Sequence, residues 1–417
     1  MPASITNSTV NAAFFSPLVP LVTESKFSKP CPELPDLDFV QLGIVRVLES
    51  APSGRGFLQE HGPRFERTPT HSNYFFTLRS TRRGQLLEDI HNRLIATAAC
   101  ALPDRLSWIP ELSSYECFAA DGHWHKAAAH DPRHEEAKMA VGHFCSLDLR
   151  RHTLRHLVAG EGLHEHDMSA LKRVKPKGLR QGVPMGRRAL VVYDKAGIDF
   201  AYWKRCRQEC AVYFLSRVKE GMVYDWLAEL SWDRADARNA GVVSDRRVMT
   251  REGSELRIVK YVDPISGKEF EFLTNVPDLP PGILVELYRR RWEAEKVFDE
   301  IKNKFGERKA WGTSQETREA QARFIAMTHN LLRLYEHRLE IGRDIQNQGE
   351  DRRRAERTAE TKERCAIEGK PVSTLVTAAR RATQCSVKFI RWLRQSLRDH
   401  ATEAAAAARL QALYATL

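Results

Sequence analysis

The sequence has no long apolar run and no closely spaced pair of cysteines. No segment approaches the roughly 20 apolar residues that a membrane-spanning helix needs, and no basic stretch followed by an apolar one opens the chain. We therefore expect neither a membrane span nor an export signal. The eight cysteines form no C-x-x-C pair, which argues against a zinc ribbon and indicates reduced thiols in a cytosol.

Acidic residues are the smaller of the two charged groups. The chain carries 65 Lys and Arg against 54 Asp and Glu, a net charge of +11, and residues 171–220 alone hold 13 basic and 4 acidic side chains. This excess favours a polyanionic partner, with nucleic acid ahead of an acidic membrane surface. Pro176 and Gly178 predict a loop, which either follows a phosphate backbone or is simply solvated. Its cations are Lys172, Arg173, Lys175 and Lys177.

The order of β-leaning and helical patterns predicts the fold class. After a proline-rich lead-in at residues 1–35, which we expect to be poorly ordered, apolar residues recur at helical spacing as far as Leu106. Five β-leaning runs follow, with room for helices at about 164–174 and 199–209. Consecutive strands that then alternate with helices predict an α/β fold, whose mixed sheet begins antiparallel and ends parallel. The runs are 116–129, 139–149, 154–158, 189–193 and 211–218.

These patterns divide the chain into five segments. They are a helical region at 1–110, an α/β region at 111–220, a β-rich insertion at 221–282, helices at 283–342, and a helical, basic region at 343–417. The clearest signal in the insertion is a hairpin with strands at 256–262 and 269–273. Two long helices are predicted at about 283–304 and 317–341.

The first of these long helices places four functional side chains on one face. Tyr288, Arg291, Glu295 and Lys302 fall at offsets 0, 3, 7 and 14, which at about 100° per residue lie within a sector of about 60°. A carboxylate between two cations suits a site where the acid holds a divalent ion and the cations bind phosphate oxygens. The alternative is an ordinary Arg291–Glu295 pair on a solvated helix face.

Two more carboxylates lie at informative positions on predicted strands. Asp121 falls inside the first strand, and Asp194 follows the apolar run 189–193, at the edge where α/β sheets bind ligands. A two-metal phosphodiester site needs acidic oxygen ligands from several elements. Alternatively, Asp121 and Gly122 form a hairpin turn, and Asp194 caps a helix or starts a turn before Gly197.

Histidines and cysteines offer a second, weaker hypothesis. A group of seven histidines invites a zinc site, yet no helix carries a His-x-x-x-His pattern with an adjacent Glu, so we do not expect zinc. Cys206 and Cys210 lie one helical turn apart and are expected to face the core. The histidines are His123, His125, His130, His134, His143, His164 and His166.

Asp121, Asp194 and the Tyr-x2-Arg-x3-Glu-x6-Lys helix together resemble the DDE transposases of bacterial insertion sequences. The resemblance is to the branch with the Y-R-E-K signature, the insertion-sequence-four family, and it extends over roughly residues 115–340. It implies a ribonuclease-H-like mixed sheet flanked by helices and interrupted by a β-rich insertion between the second and third acids. Residues 1–110 would then be a DNA-binding region.

The resemblance also implies the roles of individual residues. Asp121, Asp194 and Glu295 would be catalytic and would bind two Mg²⁺ ions, for which Mn²⁺ substitutes. Tyr288, Arg291 and Lys302 would contact phosphates, and Trp292 would stack beside the cleaved end. No Trp lies between Asp233 and Arg291, where some relatives use one to hold a flipped base.

The activity implied by the resemblance is cut-and-paste transposition of an insertion sequence. It comprises binding of the terminal inverted repeats, hydrolytic strand cleavage, DNA hairpin formation and strand transfer into target DNA. A homodimer on double-stranded DNA, in the bacterial cytoplasm at the nucleoid, is implied in the same way. Two other hypotheses stay open, a catalytically silent DNA-binding relative and a two-metal nuclease without end specificity.

Overall fold

A single large sheet organises the part of the chain that the structure describes. This computed structural model describes residues 8–49, 53–64, 69–125, 141–161, 165–305, 310–378 and 384–415. Its strands are β1 (Tyr115–His125), β2 (Val141–Asp148), β3 (Leu154–Ala159), β4 (Arg188–Val192), β5 (Val212–Arg217), β6 (Tyr224–Glu229), β7 (Val242–Thr250), β8 (Glu255–Val262) and β9 (Glu269–Thr274). They are ordered β3-β2-β1-β4-β5-β9-β8-β7-β6.

The first five strands form the mixed half of the sheet. β1 pairs antiparallel with β2 and β2 with β3, whereas β1 pairs parallel with β4 and β4 with β5. The predicted order, antiparallel first and parallel later, is confirmed. Strand β4 is almost continuously apolar because helices cover both of its faces.

The last four strands form an antiparallel meander that extends the same sheet. β9 pairs antiparallel with β5, so the predicted insertion continues the sheet from its parallel edge. The predicted hairpin is confirmed as β8 and β9. Its turn ends at Gly267, whose φ of +70° is a conformation that glycine adopts without strain.

Helices lie before, between and after the strands. They are α1 (Val10–Phe15), α2 (Leu18–Thr23), α3 (Asp36–Leu48), α4 (Gly54–His61), α5 (His71–Thr77), α6 (Thr81–Ala101), α7 (Asp167–Arg173), α8 (Pro176–Arg180), α9 (Phe200–Cys210), α10 (Pro281–Arg290), α11 (Trp292–Asn303), α12 (Gln315–Arg343), α13 (Gln348–Ile367), α14 (Val387–Arg398) and α15 (Glu403–Ala415). Within the described ranges, none of them is both long and apolar enough to cross a membrane.

The core has two layers, one on each face of the sheet. Helices α3, α6, α11 and α12 pack on one face, and α7, α8 and α9 cover the other. On the second face Trp203 stacks on Phe214, with ring centroids 5.0 Å apart. Cys206 is buried beside them as predicted, while Cys210 is only partly buried.

The expectation of a poorly ordered lead-in is wrong for residues 8–35, while residues 1–7 lie outside the described ranges. Helices α1 and α2 bury Phe14, Phe15 and Leu18. The ring of Phe14 contacts that of Tyr335 edge-on at 5.6 Å, and the Val10 N–H donates to the Ala401 carbonyl at 2.9 Å. Contacts with the distant C-terminal helices, which local composition does not reveal, order this segment.

The predicted basic loop is also wrong, because three of its four cations lie on two short helices. Lys172 and Arg173 end α7, and Lys177 lies on α8. Pro176 occupies the first turn of α8, where its missing N–H removes no helical hydrogen bond, and Lys175 before it is extended. Proline therefore starts a helix here instead of preventing one.

Candidate active site

Asp121 and Asp194 lie at the same level beyond the parallel pairing of β1 and β4. The last parallel pair joins Ala119 to Val192, and each Asp follows its strand's member of that pair by two residues. Side chains two residues apart share one face of a strand. The register therefore predicts that both carboxylates extend the same row at the carboxyl edge of the sheet, and both line one small cavity.

Asp121 is part of a continuous strand. It pairs with Cys145 of β2, and β1 continues to His125, so the alternative of an Asp121–Gly122 hairpin turn is wrong. The Gly122 N–H donates to the Asp121 carboxylate at 2.9 Å. This bond and the pleat hold the carboxylate at the sheet edge.

Asp194 begins the turn after β4. Its side chain accepts the N–H of Lys195 and caps a short 3₁₀ turn, while its carbonyl accepts from Ser216 Oγ on β5 at 3.0 Å. The predicted capping alternative is therefore correct as local geometry. Because a cap uses only part of a carboxylate's hydrogen-bonding capacity, it leaves Asp194 able to bind a cation.

A third aspartate, Asp167, lines the same cavity and was missed in the sequence. It starts α7 on the opposite face of the sheet. A Cβ on Gly122 would lie 3.3 Å from Asp167 Oδ1 and 2.9 Å from the Phe144 ring, so glycine lets both the carboxylate and the ring approach this strand closely. Acids are common in the first turn of helices, and this signal alone gave no reason to single out Asp167.

The predicted helix at 283–304 is interrupted at Arg291. α10 ends at Arg290 and α11 begins at Trp292, and the N–H of Arg291 donates to the Tyr288 carbonyl at 3.1 Å. The Ala294 N–H donates to the Arg291 carbonyl at 3.0 Å in the same three-residue spacing. This tighter turn means that the single-helix geometry was wrong in detail, although Arg291 keeps helical dihedral angles.

Arg291 connects two of the predicted acids. Its Nη1 lies 3.2 Å from Asp121 Oδ2, and its Nη2 lies 2.6 Å from Glu295 Oε1. Only 6% of Arg291 is exposed, whereas 35% of the Glu295 side chain is exposed. The alternative of a solvated Arg291–Glu295 pair is therefore wrong, because the pair is joined to the sheet at the end where Asp121 and Asp194 lie.

Burial and neighbouring negative charges raise the pKa of two of the acids, Asp121 and Asp167. Burial raises the pKa of Asp121 to about 6, and the negative charges of Asp167 and Glu295 add to this rise, which Arg291 opposes. Burial also raises the pKa of Asp167, and the charge of Asp194 contributes. A divalent cation relieves both causes, and carboxylate oxygens are the ligands that Mg²⁺ prefers. The donor chemistry therefore suits a divalent metal ion, although no three of these side chains in the described ranges are arranged to hold one.

The remaining residues of the helix signature have different surroundings. Tyr288 is buried against Phe272, with ring centroids 5.0 Å apart, and burial raises the pKa of its hydroxyl. Trp292, which is 58% exposed, offers an aromatic face to solvent. Lys302 is exposed near the end of α11, and no contact in the described part of the chain joins it to the acids.

The four predicted basic residues fall into two pairs. Lys172 pairs with Asp199 at 2.5 Å, and Arg173 pairs with Glu165 at 2.7 Å, so both are bound within the chain. Lys175 and Lys177 are exposed, and the described residues contain no acid paired with either of them. These two therefore fit a phosphate contact better than the first two.

The histidines do not form a zinc site in the described ranges. No group of three or more His, Cys, Asp or Glu side chains there is arranged to hold a metal ion. His123 and His143 face each other on β1 and β2, and His166 caps α7. His130, His134 and His164, and the side chain of His125, lie outside the described residues.

Comparison with known proteins gives one family. A sequence profile of the transposase DDE domain matches residues 118–331, just over half of the chain, and this range contains Asp121, Asp194 and Glu295. Among solved structures, a piggyBac transposase synaptic complex with hairpin DNA is similar at a TM-score of 0.37 and 11% sequence identity, over 97% of this chain and 78% of that one. No match is found among curated proteins.

Proposed function

This chain belongs to the family of transposases with a DDE domain, and from that premise we propose that it moves a bacterial insertion sequence by cutting and rejoining DNA. We assign it to the branch with the Y-R-E-K signature. The proposed reactions are binding of the terminal inverted repeats, hydrolysis of one strand, hairpin formation and strand transfer into target DNA. We propose two Mg²⁺ ions as cofactors, with Mn²⁺ as a substitute.

The observation that carries this proposal is the convergence of acids at one sheet edge. Asp121 and Asp194 follow the same parallel pair by two residues, and the guanidinium of Arg291 joins Asp121 to Glu295. The acids near this arginine outnumber it, because Asp121 and Glu295 bind it while Asp167 and Asp194 line the same cavity as Asp121. An excess of oxygen donors is what a site for divalent cations requires.

The proposed roles follow from these positions. Asp121, Asp194 and Glu295 would hold the metal ions, which supply positive charge to the reacting phosphate and lower the pKa of attacking water. Arg291 and Lys302 would bind phosphate oxygens on either side, and buried Tyr288 would fix the position of the arginine through its ring. The exposed ring of Trp292 would stack on a base at the cleaved end.

The surrounding fold supports a ribonuclease-H-like core. We propose that β1 to β5 with α7 to α12 form this core, at 111–220 and 283–342, and that β6 to β9 form its insertion at 221–282. We assign DNA-end binding to the helical region 1–110 and to exposed Lys175 and Lys177, and further DNA or partner contacts to 343–417. A homodimer would hold two ends together.

The direct test is cleavage of labelled DNA that carries the ends of the element, with Mg²⁺, by wild type and Glu295→Gln. Asp299→Asn is a matched control, because Asp299 is an exposed acid one turn further along the same helix. We expect cleavage at the element boundary by wild type and the control but not by Glu295→Gln. Binding without cleavage in all three proteins would favour a silent DNA-binding relative, and cleavage of any duplex would favour a nuclease.

A further inference from the structure

Arg291 occupies the space between two of the carboxylates that we assign to the metal ions. Its two terminal nitrogens bind Asp121 Oδ2 and Glu295 Oε1 at 3.2 and 2.6 Å. A carboxylate oxygen whose lone pairs face a guanidinium is not free to coordinate a metal ion on the same side. Guanidinium and divalent cation therefore compete for the same acids.

The rest of the site is consistent with this competition. In the described part of the chain, no three potential ligands are arranged to hold a metal ion, although the acids gather at one edge. Neighbouring, partly buried carboxylates repel one another and are stabilised by a counter-ion. Arg291 supplies one, and so keeps the site folded without metal.

The guanidinium of Arg291 is only partly satisfied where it lies. Its Nε is buried and has no hydrogen-bond partner among the described residues. The neighbouring surfaces are the rings of Tyr288 and Trp292, whose centroids lie 5.8 and 5.9 Å from the guanidinium carbon. Aromatic faces bind a planar guanidinium without fixing it as a carboxylate does. Because Trp292 is exposed, the Arg291 side chain can turn toward solvent along the Trp292 ring.

We infer that Arg291 is an exchangeable internal counter-ion, which leaves Asp121 and Glu295 when a divalent cation binds and then becomes available to a DNA phosphate. Binding of metal and binding of DNA are thereby coupled, because the ion releases the cation that the phosphate needs. This inference rests on the proposed function and adds a positioning role in the metal-free protein.

The test is a titration of the full chain with Mn²⁺ in the absence of DNA. The electron paramagnetic resonance signal of free Mn²⁺ measures how much of the ion is bound. Arg291→Gln removes the competing charge and should bind Mn²⁺ roughly tenfold more tightly than wild type. Arg291→Lys keeps the charge but cannot bridge two acids, and should fall between them. The matched control is Arg289→Gln, which removes an exposed arginine two residues away.

A purely structural role for Arg291 predicts the opposite change in Mn²⁺ affinity. If its loss only disorders the site, Arg291→Gln and Arg291→Lys both bind Mn²⁺ more weakly than wild type, and the inference is overturned. Equal affinity in all variants overturns it as well. Circular dichroism shows whether each variant is folded, and Arg291→Lys carries the test if Arg291→Gln is not.

One further variant separates this inference from the proposed function. Asp194 does not contact Arg291 in the structure, so Asp194→Asn reports the metal site alone. Mn²⁺ binding that is lost in Asp194→Asn but unchanged in Arg291→Gln overturns only the counter-ion role. Binding that is insensitive to Asp194→Asn, or absent from every variant, overturns the proposed metal site and the inference together.

Discussion

Arg290 and Arg291 are adjacent, buried to nearly the same degree, and have opposite surroundings. Arg290 is 3% exposed and binds Glu286 at 2.9 Å on its own helix, with Glu293 at 3.5 Å. Glu293 in turn lies 2.6 Å from His152 Nε2. Arg291 binds Glu295 and Asp121, and Asp121 lines the cavity at the sheet edge. Each arginine binds two acids, so burial and pairing alone do not identify a functional arginine. Around Arg291, however, two further acids, Asp167 and Asp194, line the cavity of its partner Asp121.

The largest expected effect is a loss of stability when the contacts of Arg290 are disrupted. Glu293→Gln removes one of the two acids that bind Arg290, which keeps Glu286, and gives His152 a neutral partner. Removing one member of a buried ion pair costs up to about 3 to 5 kcal/mol. We expect the free energy of unfolding, measured by urea denaturation, to fall by about that amount, while cleavage per folded molecule persists. Lost cleavage with unchanged stability would place Glu293 in the active site instead.

The second prediction concerns Asp121, one of the two acids that Arg291 binds. The folded-state pKa of Asp121, about 6, is above its ordinary value of 3.8, so the folded protein binds this proton more tightly than the unfolded chain. Ionisation of Asp121 therefore costs stability as pH rises from about 4 to 6, and the full cost remains above that window. The shift corresponds to about 3 kcal/mol.

Asp121→Asn removes that cost. In metal-free buffer we expect it to raise the free energy of unfolding at pH 7 relative to wild type, and to change it little at pH 4. Glu293→Gln, measured in parallel, should destabilise at pH 7. If Asp121→Asn destabilises more at pH 7 than at pH 4, the pairing with Arg291 outweighs burial and the sign assigned here is wrong.

The third prediction sharpens the comparison through DNA. If Arg291 binds one phosphate, Arg291→Gln should weaken binding to DNA ends and reduce the slope of log affinity against log salt by about 1. Fluorescence anisotropy at several salt concentrations measures this slope. Arg289→Gln on the same turn should leave it nearly unchanged. Equal slopes for Arg291→Gln and wild type would argue against a phosphate contact.

The smallest expected effect is on the salt dependence of DNA binding by two exposed lysines, Lys172 and Lys177. Lys172 is held by Asp199, whereas Lys177 has no paired acid among the described residues. Lys177→Ala should therefore reduce the salt slope of DNA binding by up to about 1, and Lys172→Ala should reduce it less. For stability we expect at most about 0.5 kcal/mol from either change, since exposed pairs contribute little. A larger slope change in Lys172→Ala would reverse the assignment.

What the sequence predicts well is what local pattern determines. Strands β3, β4, β5, β8 and β9 begin and end within one or two residues of the predicted bounds, because apolar residues flanked by turn residues specify them. The placement of Asp194 at a strand end followed from the same pattern. The family resemblance then selected Asp121, Asp194 and Glu295 from among many acids, and the structure brings Asp121 and Asp194 to one cavity.

What it predicts poorly depends on contacts between distant segments. The interruption at Arg291 lies beside Glu293, which pairs with His152 from 141 residues earlier, and helical periodicity contains no trace of that pair. Asp167 of α7 lines the cavity beside Gly122 of β1, whose missing side chain lets the carboxylate approach closely. The short helix α8 was missed because Pro176 was taken as a helix breaker without regard to its position in the first turn.

The pairing of β9 with β5 has a consequence for how this chain can vary. After β5 ends at Arg217, the chain runs through four antiparallel strands and returns beside its point of departure, where Phe272 pairs with Arg217. The segment from Arg217 to Phe272 is thus a closed excursion within the 100 residues that lie between Asp194 and Glu295, and it begins and ends on neighbouring strands. A segment of different length could connect β5 to β9 in the same way. The insertion can therefore change in length and sequence, and so in binding partners, without moving the strands that carry Asp121 and Asp194.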